Sequence, residues 1–161
     1  EKNLASTAYT ILDNWTTPPG IYSNIDNKKK PDLNKWIQTV RGISEKSGHI
    51  EVALLKIGEI LFHSPPDPNG LWIHKKAAKE LNAANAEGIR RGFRTALFNS
   101  RGVHRVDPSG KKEFEMAGQY YKKADDVENE GFHRLATTLR DLGDGYTRSA
   151  KRVKSEDRFD D

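Results

Sequence analysis

Residues 49–63 read HIEVALLKIGEILFH, with apolar side chains at Ile50, Ala53, Leu54, Ile57 and Leu61 and a second set at Val52, Leu55, Ile60 and Phe62. The first set recurs at the three- and four-residue steps of one helical face, not at the two-residue step of a strand. A helix that is apolar on more than one side needs several partners, so this segment is expected to be the central helix of a bundle. Ser64-Pro65-Pro66-Asp67-Pro68-Asn69-Gly70 closes it, because proline lacks the N–H that would continue the ladder.

The same periodicity extends in both directions. Upstream, Leu33, Trp36, Ile37, Val40 and Ile43 form a stripe with Pro31 in the first turn and Gly48 as the stop. Ahead of that, Leu4, Ala8, Ile11, Leu12 and Trp15 predict a first helix, ended by Pro18-Pro19-Gly20. Downstream, Trp72, Ala77, Ala78 and Leu81 mark a fourth helix. Asn85 reads as the N-cap of a fifth, whose buried face is Ile89, Phe93, Ala96 and Leu97.

After a break over residues 99–110, which includes the turn-forming Asp107-Pro108-Ser109-Gly110, two more stripes follow. One is Phe114, Ala117, Gly118, Tyr121 and Ala124; the other is Phe132, Leu135, Leu139, Leu142, Tyr146, Ala150 and Val153. They flank Asn129-Glu130-Gly131 and predict a long antiparallel αα-hairpin. Gly143 and Gly145 interrupt the last stripe and are expected to weaken that helix. The expectation is an all-α fold: one compact domain of about seven amphipathic helices over residues 1–153, with 154–161 a frayed polar tail. No strand pattern longer than four residues competes with it.

Composition narrows the class further. The chain has 161 residues, of which 35% are hydrophobic and 31% charged, so its helices need narrow apolar stripes and broad solvated faces. There are no cysteines, which excludes disulfides and thiolate chemistry. The longest apolar run, Val52 to Leu55, is far short of the ~20 residues that span a bilayer. The chain opens at Glu1-Lys2-Asn3 with neither an initiator Met nor a signal pattern, which predicts a piece of a longer protein or a processed chain, in the cytoplasm.

Charge is the one feature that points to a site. Between Ile89 and Lys112 lie Arg90, Arg91, Arg94, Arg101, Arg105, Lys111 and Lys112 against a single acid, Asp107; the rest of the chain has 20 Lys and Arg against 22 Asp and Glu. A localised basic surface attracts polyanions or acidic partners, whereas evenly spread charge mainly aids solubility. On a helical wheel with Ile89 at 0°, Arg90, Arg94 and Arg101 fall at about 100°, 140° and 120°, along one edge of the buried stripe. Phe98 lies among them, at about 180°. The candidate binding residues are therefore Arg90, Arg94, Phe98 and Arg101, with His104 and Arg105 in the following loop. The competing expectation is that these arginines pair with acids of the last two helices, such as Glu113, Glu115, Asp125 or Asp141.

Other chemistries find little support. His49, His63, His74, His104 and His133 show no spacing that assembles three or four metal ligands. There is no nucleophile elbow, and Gly88, Gly92 and Gly102 follow no phosphate-loop pattern. Trp15, Trp36 and Trp72 are expected to anchor the core. No cofactor, metal or catalytic constellation is expected.

Asp13-Asn14-Trp15, Pro18-Pro19, Trp36, Ile57-Gly58, Asp67-Pro68-x-Gly70-x-Trp72 and Asn99-x-Arg101-Gly102-Val103 occur in that order. Over residues 11–158 the pattern resembles an uncharacterised helical region found towards the C-terminus of large bacterial multidomain proteins. Two positions depart from it: Ile73 stands where a proline is expected, and Gly110 where a glycine pair is expected. The resemblance implies a helical fold within something larger and assigns no activity. The expectation that follows is a non-catalytic interaction domain that docks a protein partner or a neighbouring domain. The alternative is a nucleic-acid-binding module using the arginine ridge and the loop after it. Salt dependence separates them, because phosphate contacts weaken steeply with added salt.

Overall fold

The computed structural model describes residues 14–21, 32–102 and 109–156, among which there are six α-helices and no strand. They are α1 (Leu33–Lys46), α2 (Ile50–Phe62), α3 (Lys75–Asn82), α4 (Glu87–Asn99), α5 (Lys111–Asn129) and α6 (His133–Glu156). The helix expected from Leu4 lies outside the described residues except at its end. There Trp15 is already non-helical and stacks at a tilt on Trp36, with ring centroids 5.8 Å apart.

The architecture is two helix pairs joined by a short helix. α2 packs along α4, α5 along α6, and α3 touches α6, α1 and α4. One buried cluster runs through all of them, from Leu33 and Ile37 through Ile57, Leu61, Leu81, Ile89 and Phe93 to Leu135, Leu139 and Tyr146. In the second pair, contacts join Gly110 to Ala150, Tyr121 to Asp144, and Asp125 to Arg140, so residue numbers rise on one side as they fall on the other.

The α2–α4 approach depends on missing side chains. A Cβ on Gly58 would lie 2.1 Å from the Ile89 carbonyl oxygen, and one on Gly92 would lie 2.0 Å from that of Leu55. Backbones this close leave no room for a methyl group, so these glycines are packing notches, a role the sequence reading did not assign them. The contact is one-sided. α2 packs mainly on α1 and α4, and Val52 on its other side is 59% exposed. The hub is accordingly shared by α3, α4 and α6, not held by α2 as its double apolar set suggests.

Local chemistry sets the remaining elements. α3 begins only at Lys75, capped by His74 Nδ1, so Trp72 lies before it in the preceding loop. Trp72 donates from Nε1 to the Lys123 carbonyl at 3.1 Å, and the Lys123 ammonium sits 4.9 Å from the centre of its indole ring. α4 starts after Ala86 and has no side-chain cap, in place of the Asn85 cap expected. In α5 the buried face is Glu113, Ala117, Tyr120, Ala124 and Val127. Tyr120 thus takes the place expected of Tyr121, while Phe114 is 38% exposed. α6 is continuous past Gly143 and Gly145 and runs to Glu156, beyond the expected boundary at 153.

The Pro-rich connection from α2 to α3 is organised by Asp67. Its carboxylate accepts backbone N–H bonds from Asn69 at 3.0 Å and Lys75 at 2.9 Å, and its own N–H donates to Leu71 O at 2.8 Å. The two accepted bonds, Lys75's the stronger influence, hold this carboxyl below the usual carboxylate range.

Candidate functional site

The glycine-notched contact fixes how α4 presents its polar side chains, and the arginines expected to form one ridge meet three different fates. Arg90 turns inward. Its Nη1 donates to the carbonyls of Leu81 and Ala83, both at 2.8 Å, and so satisfies orphan acceptors at the end of α3. Burial, with the charge of Arg134 as a second cause, lowers its pKa; Glu87 opposes the shift.

Arg101 lies just past α4 and donates to Glu113 Oε1 at 2.8 Å; the side chains of the pair are 14% and 3% exposed. Its guanidinium also stands 5.5 Å from the centre of the Tyr146 ring. This is the structural pairing weighed against a binding role, realised at one residue. Arg94 is exposed and pairs with no described residue. Phe98 is 58% exposed, with its ring centroid 6.1 Å from that of Tyr146. It borders the aromatic stack of Tyr146 on Tyr120, not the arginines near the start of α4. His104 and Arg105 lie outside the described residues.

A different grouping replaces the ridge. Between the first turns of α4 and α6 lies a groove of about 480 Å³, lined by Glu87, Arg90, Arg91, Arg94, Arg134, Thr137, Thr138 and Asp141. Four guanidinium groups from two helices thus face two carboxylates. Arg91, Arg94 and Arg134 are exposed and make no side-chain hydrogen bond or ion pair with any described residue. The Thr137 and Thr138 hydroxyls donate to the carbonyls of His133 and Arg134, one turn back, at 3.0 and 3.1 Å.

The groove is built by long-range capping. Asn82 Oδ1, at the end of α3, accepts from the backbone N–H of Arg134 at 2.8 Å and of Leu135 at 3.4 Å. That side chain caps α6 from a distant part of the chain and sets its first turn beside that of α4. The Arg41 Nη2 donor to Asn85 O, at 2.9 Å, holds the α3–α4 connection from the other side. Arg134 lies 44 positions beyond Arg90, outside the basic segment, and no local pattern marks it. Only the Asn82 contact brings it in.

Such a surface suits anions with several acceptor oxygens, since each guanidinium offers a planar fork of donors. Among the described residues, no group of three or more His, Asp or Glu side chains is placed to hold a metal ion, and no helix is long and apolar enough to cross a membrane. No protein-family model, no curated protein and no solved structure matches the chain.

Proposed function

We propose that this chain is a non-catalytic helical interaction domain of a larger cytoplasmic bacterial protein, docking an acidic segment of a protein partner or neighbouring domain in the α4–α6 groove. The observation that carries the reading is the unpaired cluster of Arg91, Arg94 and Arg134 beside the anchored Arg90 in one groove. Unpaired like charges repel one another, and an acidic occupant relieves that repulsion while filling the donor forks. The resemblance of the ordered motifs to a helical region of bacterial multidomain proteins supports the setting. The seven-helix count and closing hairpin belong to the same proposal, supported by the stripe from Leu4 and by the reversed pairing order of α5 and α6.

The nucleic-acid reading loses two of its three ridge arginines to internal bonds, at Arg90 and Arg101. A protein segment therefore fits better than an extended phosphate backbone. The test is fluorescence anisotropy with a labelled Glu-rich peptide and a duplex oligonucleotide of equal charge. The peptide is expected to bind, and the Arg94→Glu/Arg134→Glu variant to lose it while keeping its helical spectrum. Tighter binding of the duplex with a steep salt dependence would transfer the groove to nucleic acid.

A further inference from the structure

The charge count in the groove carries the docking reading one step further, to the group that is recognised. A lone carboxylate carries one negative charge and two oxygens, and it is satisfied by one arginine fork. Here four arginines from two helices converge, and Glu87 and Asp141 leave two positive charges uncompensated. Neither acid is in ion-pair contact with any of the four, although Glu87 partly offsets the charge around Arg90. Arg90 is clamped by two carbonyls, and its charge is disfavoured first by burial and then by the neighbouring Arg134. A group with two negative charges and three acceptor oxygens matches this surplus, and a phosphate monoester is such a group. The volume of about 480 Å³ leaves room for the residue that bears it.

Resting on the docking reading above, we infer that the α4–α6 groove recognises a phosphorylated serine or threonine of the docked segment, with Arg91, Arg94 and Arg134 gripping the phosphate oxygens. Arg90 is the fixed positive wall behind them. The groove then works as a conditional docking site, occupied when the partner segment is phosphorylated.

The experiment uses the full 161-residue chain. Its probes are three degenerate libraries of labelled 12-residue peptides with a fixed central phosphoserine, glutamate or serine, and binding is read by anisotropy. Phosphoserine is expected to bind at least about tenfold more tightly than glutamate, and serine not at all, since each added charge-assisted hydrogen bond strengthens binding by about an order of magnitude or more. Phosphoserine affinity should fall from pH 7.5 to 5 as the phosphate takes up its second proton near pH 6, while glutamate affinity stays level. Arg94→Ala and Arg134→Ala should each weaken phosphoserine binding about ten- to a hundredfold with an unchanged helical spectrum.

Equal binding of glutamate and phosphoserine overturns the phosphate assignment and leaves the docking reading standing. Binding of neither library overturns both. Inorganic phosphate that displaces the phosphopeptide at the same affinity overturns the segment part, because the site then reads free phosphate. A duplex oligonucleotide that binds more tightly than phosphoserine, with the same arginine dependence, overturns both in favour of nucleic acid.

Discussion

At Gly143 and Gly145, two glycines two positions apart in one helix have opposite surroundings. A Cβ on Gly145 meets only the tip of Arg148 at 3.9 Å, whereas one on Gly143 lies 2.7 Å from the Tyr121 ring. That ring is held by its hydroxyl, which donates to Asp144 at 2.7 Å and lies 3.1 Å from the Thr147 hydroxyl. Gly145→Ala is expected to stabilise by about 0.5–1 kcal/mol through helix propensity. Gly143→Ala should lose about 1 kcal/mol net, because displacing the ring outweighs the same gain. Urea midpoints of the two variants measure this, and equal shifts would mean that Tyr121 yields freely. Arg94 and Arg101 divide in the same way. Arg94→Ala should change stability by less than about 0.5 kcal/mol. Arg101→Met should cost about 3 kcal/mol by removing the hydrogen-bonded cation from the buried Glu113, and Arg101→Met/Glu113→Met should recover much of it. Thermal unfolding of the three variants checks the order.

Between elements, the contacts that matter most involve the smallest residues and one acid. Gly58→Ala would drive a methyl group into the Ile89 carbonyl, so α2 and α4 must separate; a loss of about 3 kcal/mol or failure to fold is expected. A near-neutral effect in a denaturant titration would show that the pair slides without penalty. Asp67 links the α2–α3 connection to the first turn of α3 through bonds that favour its charged form. Its folded pKa lies below the unfolded value of ~3.9, so the unfolded chain binds the proton more readily. The stability it contributes is therefore full above pH ~4 and is lost as pH falls through the folded value. Glu128, held low chiefly by Arg140, adds to the same acid limb. Asp67→Asn should lower Tm at pH 7, and its difference from the parent should narrow towards pH 2–3. A difference that stays constant with pH would assign the effect to packing.

At the scale of the whole molecule, one core spans both helix pairs, so they should unfold together. The tryptophans, Trp15, Trp36 and Trp72, lie in the first half of the chain, while the longest helices, α5 and α6, lie in the second. Urea curves followed by tryptophan emission and by far-UV ellipticity are expected to coincide; separated midpoints would reveal two independent units. Much of this was readable from periodicity. Leu33, Ile37, Ile57, Leu61, Ile89, Phe93, Leu97 and the stripe from Leu135 to Ala150 are buried as their spacing implies. Ile43, at the end of its stripe, is instead 64% exposed, and Ile50, Ala53 and Leu54 are only half-buried, because α2 packs on one side. The core of α5 was misread by one position, since Tyr120 and Tyr121 differ by only 100° and either satisfies the pattern. Helical character, helix order and the general place of the basic charge thus belong to the sequence alone. Tertiary structure decided which arginines are bound internally and which are free, because that depends on carbonyls, carboxylates and caps supplied by other elements. Leu81 and Ala83 draw Arg90 inward from nine and seven positions away, Glu113 draws Arg101 from twelve, and Asn82 holds the first turn of α6 across 52 positions; hydrophobic spacing carries no information about which polar groups meet.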